Sequence, residues 1–142
     1  SNSRQFATIG CDGKSKPRAY PSSVKTRDAA VLLEDIEHHA QAANRFVSGV
    51  SLEQYRNNQM VRFAVERALE IAGEALKRLD AHHPAIAARI PQLRIIIGFR
   101  NVLAHGYAEL DDARVHAAAS QHAAELARLA GQLLLEIDRR CS

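Results

Sequence analysis

From Ala29 to Val50, and again from Val61 to Leu79, apolar residues return every three or four positions, a spacing that an α-helix gathers onto one face. In the first run the stripe is Ala29, Leu32, Leu33, Ile36, Ala40, Ala43, Val47 and Val50, with Thr26 expected as its N-cap and Gly49 near its end. In the second, expected over residues 58–81, it is Val61, Ala64, Val65, Ala68, Ala72, Ala75, Leu76 and Leu79, stopped by Pro84. A third stripe of Val115, Ala119, His122, Leu126, Leu129, Leu133 and Ile137 predicts a long final helix. Between them, Pro91 suits the first turn of a helix that continues through residues 93–104. Ile95-Ile96-Ile97 alone would suit a strand, but no second strand-like segment is present to pair with it. Ser51 and Gln54 have capping-box spacing for a short extra turn. The expected fold is all-α, an antiparallel bundle of four principal helices with short extra turns.

Composition agrees with one helical domain of 142 residues: 46% of residues are hydrophobic, only 5% are aromatic, and tryptophan is absent. Residues 1–26 form an expected basic, flexible N-terminal tail, with residues 27–142 as the bundle. Ser1, Asn2 and Ser3 are expected to be a cleavage scar and carry no argument about the fold. The formal charge of +3 does not by itself indicate nucleic acid. Six of the Lys/Arg residues lie in residues 1–27 against the single acid Asp12, and from Asp28 onward 15 acidic residues outnumber 13 basic ones. Cys11 and Cys141 lack zinc or disulfide-framework spacing, and no apolar run could span a bilayer, so a cytoplasmic protein without membrane association is expected.

Gly98-Phe99-Arg100-Asn101-Val102-Leu103-Ala104-His105-Gly106-Tyr107 places polar, phosphate-competent groups in the most apolar stretch of the chain. Asn101 and His105, four apart, share a helix face, and Arg100 lies about 100° around from Asn101. Gly106 is expected to cap the helix, with Tyr107 just beyond it. A guanidinium grips phosphate oxygens, an amide and a phenol orient them, and an imidazole exchanges protons near neutral pH. The same residues could instead be structural, with Arg100 paired to Glu70 or Glu74 and His105 bonded to the last carbonyls of its helix. Arg78 and His83 repeat the Arg-to-His spacing, but without the asparagine and tyrosine. Glu66, Glu70 and Glu74 form a carboxylate row that calls for a cation opposite, and Gly73 suggests a close helix approach. No two histidines have His-x₃-His spacing, so no metal site and no cofactor are expected.

The glutamate-rich helix 70–79 together with the segment 98–107 resembles the HepT toxins of the HEPN superfamily, over roughly residues 27–137. The basic tail departs from that pattern. The resemblance implies a homodimeric, HEPN-like ribonuclease acting on RNA, the toxin of a toxin–antitoxin pair, with motif helices meeting across a dimer cleft. It also implies an MntA-like nucleotidyltransferase antitoxin that transfers AMP to Tyr107. Combined with the chemistry above, Arg100 and His105 become the expected catalytic residues, and Asn101 and Tyr107 the residues that bind substrate. The helix C-terminus favours a protonated His105 while Arg100 opposes it, which leaves open whether His105 acts as acid or base. A different class of function also fits the same residues: a non-catalytic helical module that binds a nucleotide or a nucleotidyltransferase.

Overall fold

A computed structural model describes the backbone of residues 20–105 and 111–141, and the side chains of 28–104 and 111–140. Its elements are α1 (Tyr20–Phe46), α2 (Leu52–Arg56), α3 (Gln59–His82), α4 (Pro84–Ala87), α5 (Leu93–His105), α6 (Asp112–Ala117), a π turn (Ala118–His122) and α7 (Ala123–Cys141). The fold is all-α, with no strand among the described residues. No helix among them is long and apolar enough to cross a membrane.

α1 packs against α3 and α7, and α3 against α5. Cross-helix contacts show that neighbours run antiparallel. Asp28 near the start of α1 meets His83 at the end of α3 at 2.9 Å, and Asp80 of α3 meets Arg94 at the start of α5 at 3.2 Å. At the other end of α1, Asn44 donates to the carbonyls of Ala119 and Ser120 at 3.1 and 3.3 Å. The core between these helices is made of the predicted stripes: Leu33, Ile36, Val65, Leu76, Leu79, Val115 and Leu126 are fully buried.

Three features differ from expectation, the first being that α5 begins at Leu93, so Pro91 precedes the helix rather than standing in its first turn. α1 begins at Tyr20, so Thr26 lies within it rather than capping it, and part of the expected tail is helical. Pro21 falls in the first turn, where a missing N–H removes no helical hydrogen bond. The final helix is interrupted by the π turn, whose wider winding alters the backbone bonding at 118–122. Asn44 supplies side-chain donors at that point. The capping box at Ser51 is present: Ser51 Oγ accepts from the Gln54 N–H at 3.1 Å and Gln54 Oε1 from the Ser51 N–H at 2.9 Å. Asn58 caps α3 through the Val61 N–H.

α2 closes one end of the bundle by burying Tyr55, whose ring meets His116 edge-on at 5.4 Å between centroids. His116 donates from Nε2 to the Val50 carbonyl at 2.7 Å, tying α6 to the turn before α2. Burial raises the Glu66 carboxyl above the usual range, the negative charge of Asp112 adds to this, and Arg62 works the other way. A carboxyl whose folded pKa is raised binds its proton more tightly in the folded state, so stability falls as pH rises through that range. Glu66→Gln is therefore expected to raise the melting temperature at neutral pH. The gain should vanish well below the ordinary glutamate pKa of about 4.3, and paired thermal melts at the two pH values measure it.

Candidate functional site

Gly73 sets the distance between α3 and α5. A Cβ there would lie 2.3 Å from Arg100 Cβ and 3.0 Å from the Ile96 carbonyl oxygen. Without it, the two helices meet closely enough for Arg100 to lie across the neighbouring turn of α3. Its Nη2 stands 2.8 Å from Glu74 Oε1, a close ion pair off hydrogen-bond alignment. Glu74 Oε2 accepts from Arg78 Nε at 3.1 Å, and Arg67 pairs with Glu70 at 3.4 Å. The carboxylate row thus has cations along it, and Glu74 serves two of them.

Arg100 also reaches along its own helix, where Nη1 donates to Asn101 Oδ1 at 3.2 Å. Its Nε is buried and has no hydrogen-bond partner among the described residues. A cleft of about 350 Å³ opens beside this cluster, lined by Asp35, Glu70 and Glu74 as well as by Arg67, Arg78 and Arg100. Acids and arginines balance there, so this side of Arg100 is no electrostatic trap for an anion.

The opposite flank of α5 is different. Arg94, Gly98 and Asn101 fall on one exposed stripe, and helical register carries that stripe to position 105, the last of α5. A Cβ at Gly98 would meet nothing within 4 Å. The structure therefore brings Arg100 and Asn101 together at the C-terminal half of α5 and ends the helix at His105. The His105 side chain, the Gly106 cap and Tyr107 lie outside the described residues.

The sequence model of the HepT-like ribonuclease family matches residues 36–133, a span that includes all of α3 and α5. The chain belongs to that family. Among its relatives are two proteins of Methanocaldococcus jannaschii. The one named "Putative RNase MJ1380" is 34% identical over 85 residues, 60% of this chain and 77% of that one. The other, "Putative RNase MJ1216", is 27% identical over 112 residues, 79% and 92% of the two chains. No solved structure matches the chain significantly. Within the matched span, α5 carries an arginine held between an asparagine and a glutamate, little more than one turn before the last residue of the helix.

Spacing left one partner in the site undecided and one surface unseen. Glu74 was one of two candidates to pair with Arg100, and the way α5 sits against α3 decides between them. The groove on the other side of α5, shared with Arg114 and His122, draws on residues far apart in sequence and on the π turn.

Proposed function

We propose that this chain is the toxin of a toxin–antitoxin pair and cuts RNA without a metal ion. The ribose 2′-hydroxyl attacks the adjacent phosphorus and the bond to the 5′-oxygen breaks, leaving a 2′,3′-cyclic phosphate and a 5′-hydroxyl. His105 moves the protons, Arg100 stabilises the added negative charge, and Asn101 and Tyr107 orient the phosphate. The observation that carries this reading is the Arg100–Asn101 contact at 3.2 Å in a helix ending at His105, within a chain of a ribonuclease family. The open stripe around Gly98 favours a homodimer, because a second α5 can approach closely where no side chain stands. An MntA-like nucleotidyltransferase would silence the site by transferring AMP to Tyr107, placing bulk and negative charge where the RNA phosphate binds.

The test is cleavage of RNA by the purified protein in excess EDTA. Products with cyclic phosphate ends are expected from the wild type and none from His105→Ala. Uncut RNA, or full activity in His105→Ala, overturns the reading. The ion pair to Glu74, which already engages the Arg100 guanidinium, favours a second reading: a non-catalytic module that binds a nucleotide or a nucleotidyltransferase. Stable binding of either without RNA products would select it.

A further inference from the structure

Of the large apolar side chains left exposed among the described residues, three share one face of the α1–α3 pair. Phe46, the last residue of α1, is 37% exposed, while Met60 and Phe63 in the first turns of α3 are 84% and 58% exposed. Helical register brings them together. Asp35 of α1 and Glu74 of α3 line the same cleft. Eleven residues on from Asp35 is Phe46, and eleven back from Glu74 is Phe63. Eleven residues make close to three full turns, so in these antiparallel neighbours both rings return to that face, about 16 Å along it. Met60 precedes Phe63 by three residues and Arg67 follows it by four, which puts all three on one stripe.

α5 stops short of this patch. Arg100 sits over Gly73, so in the antiparallel α5 position 105 comes level with about residue 68, more than a turn from Phe63. The Gly98 stripe on which a second copy would settle is likewise confined to α5. Around the patch the charge is one-sided. From His38 to Arg67 the chain carries Arg45, Arg56, Arg62 and Arg67 and no lysine, against Glu53 and Glu66, whereas from Asp28 onward as a whole acids outnumber bases. The Arg45 guanidinium lies 5.8 Å from the centre of the Phe46 ring. Neither Arg45, Arg56 nor Arg62 makes an ion pair among the described residues. Arg67 pairs with Glu70 at 3.4 Å, but its side chain is 69% exposed and such a pair is weak and easily exchanged.

Aromatic rings, methionine and arginine are what protein–protein interfaces concentrate, and lysine is what they lose. A phosphate backbone asks instead for a run of cations, and here the cations flank an apolar centre. A second copy of this chain is the wrong occupant. Across a two-fold axis the patch would meet itself and set arginines against arginines. We propose that Phe46, Met60 and Phe63 dock an acidic amphipathic helix of a partner protein. Apolar side chains one turn apart on that helix would seat among the three, and its carboxylates would meet Arg45 and Arg67. The unbranched Met60 side chain adapts its shape to whichever apolar group it meets. The partner's helix makes no demand on Arg100 or Asn101, so docking and RNA cleavage are separable.

The test uses the full chain and a fluorescein-labelled helical peptide with leucine along one face and glutamate on the others. Fluorescence anisotropy is expected to show saturable binding that weakens at least about tenfold in Met60→Ser/Phe63→Ser. Arg45→Gln/Arg67→Gln should bind about threefold or more weakly and lose less affinity as salt is raised. A scrambled peptide, with the same charge and no apolar face, should bind at least about tenfold more weakly than the amphipathic one. All four substituted side chains are exposed, and circular dichroism checks that the variants are folded. No saturable binding, equal affinity in the Met60→Ser/Phe63→Ser variant, or equal affinity of the scrambled peptide overturns the inference. So does an RNA oligonucleotide whose binding falls in that variant while the peptide's does not, which makes the patch a nucleic-acid surface. Loss of a dimer in sedimentation of the same variant overturns it too, because the patch is then an interface between copies. The readout is binding alone, so the outcome is the same whether or not the protein cuts RNA.

Discussion

Replacing Gly73 with leucine is expected to lower the melting temperature by roughly 10 °C or more, because the new side chain has no space to enter. Its first carbon already falls 2.3 Å from Arg100 Cβ and 3.0 Å from the Ile96 carbonyl oxygen. Neither is the loose end of a flexible chain, so α5 must move as a body. Gly73→Ala sets two effects against each other. Alanine gains about 0.5–1 kcal/mol of helix preference over glycine, while forcing apart a packed interface costs about 1–3 kcal/mol. The clash is the larger, and a net loss of stability follows. Gly98→Ala in α5 is the control within one protomer, since a Cβ there meets nothing of its own chain within 4 Å. Thermal melts of the three variants by circular dichroism measure the order. An unchanged melting temperature in Gly73→Leu would mean that α5 is not seated on α3 at this distance.

The same glycine shows why some of the structure was legible in the sequence. A residue that weakens a helix interior, placed in a strong apolar stripe, signals a neighbour that comes too close for a side chain, and α5 is that neighbour. The stripes of α1, α3 and α7 were legible for a related reason, since burial on one face imposes a period that survives in any single sequence. Ile95-Ile96-Ile97 had strand-like local chemistry, and the absence of a pairing partner correctly decided for helix. The start of α1 was hidden because Pro21 and the basic residues around it read as a tail, although proline is tolerated in a first turn. The π turn was hidden because an extra residue per turn leaves no mark in composition and shifts the apolar period only locally. In the motif segment, residue types suggested the chemistry and narrowed the partner of Arg100 to Glu70 or Glu74. Which carboxylate meets Arg100 depends on the rotation of α5 against α3, a tertiary quantity.

Arg100→Ala is expected to cut kcat for RNA cleavage by about 10²–10³, the loss seen when one group facing developing charge is removed. KM should change little if the guanidinium acts mainly on the charge added in the transition state. The fold should survive. The ion pair with Glu74 is partly exposed, so its loss costs less than about 1 kcal/mol, and Arg78 still neutralises the carboxylate through its other oxygen at 3.1 Å. Arg100→Lys keeps the charge but cannot hold Asn101 and Glu74 from one planar fork, and it should recover only part of the rate. Glu74→Gln separates positioning from structure. It removes the charge that aims Arg100 without touching any group expected on the phosphate, so kcat should fall by about tenfold or less, with an unchanged melting temperature. If the pair were only structural, Arg100→Ala and Glu74→Gln would lower stability alike and leave kcat where it was. Single-turnover rates and melts on the same preparations distinguish the two, and a kcat unaltered in Arg100→Ala removes the arginine from the chemistry while leaving its contact with Glu74 in place.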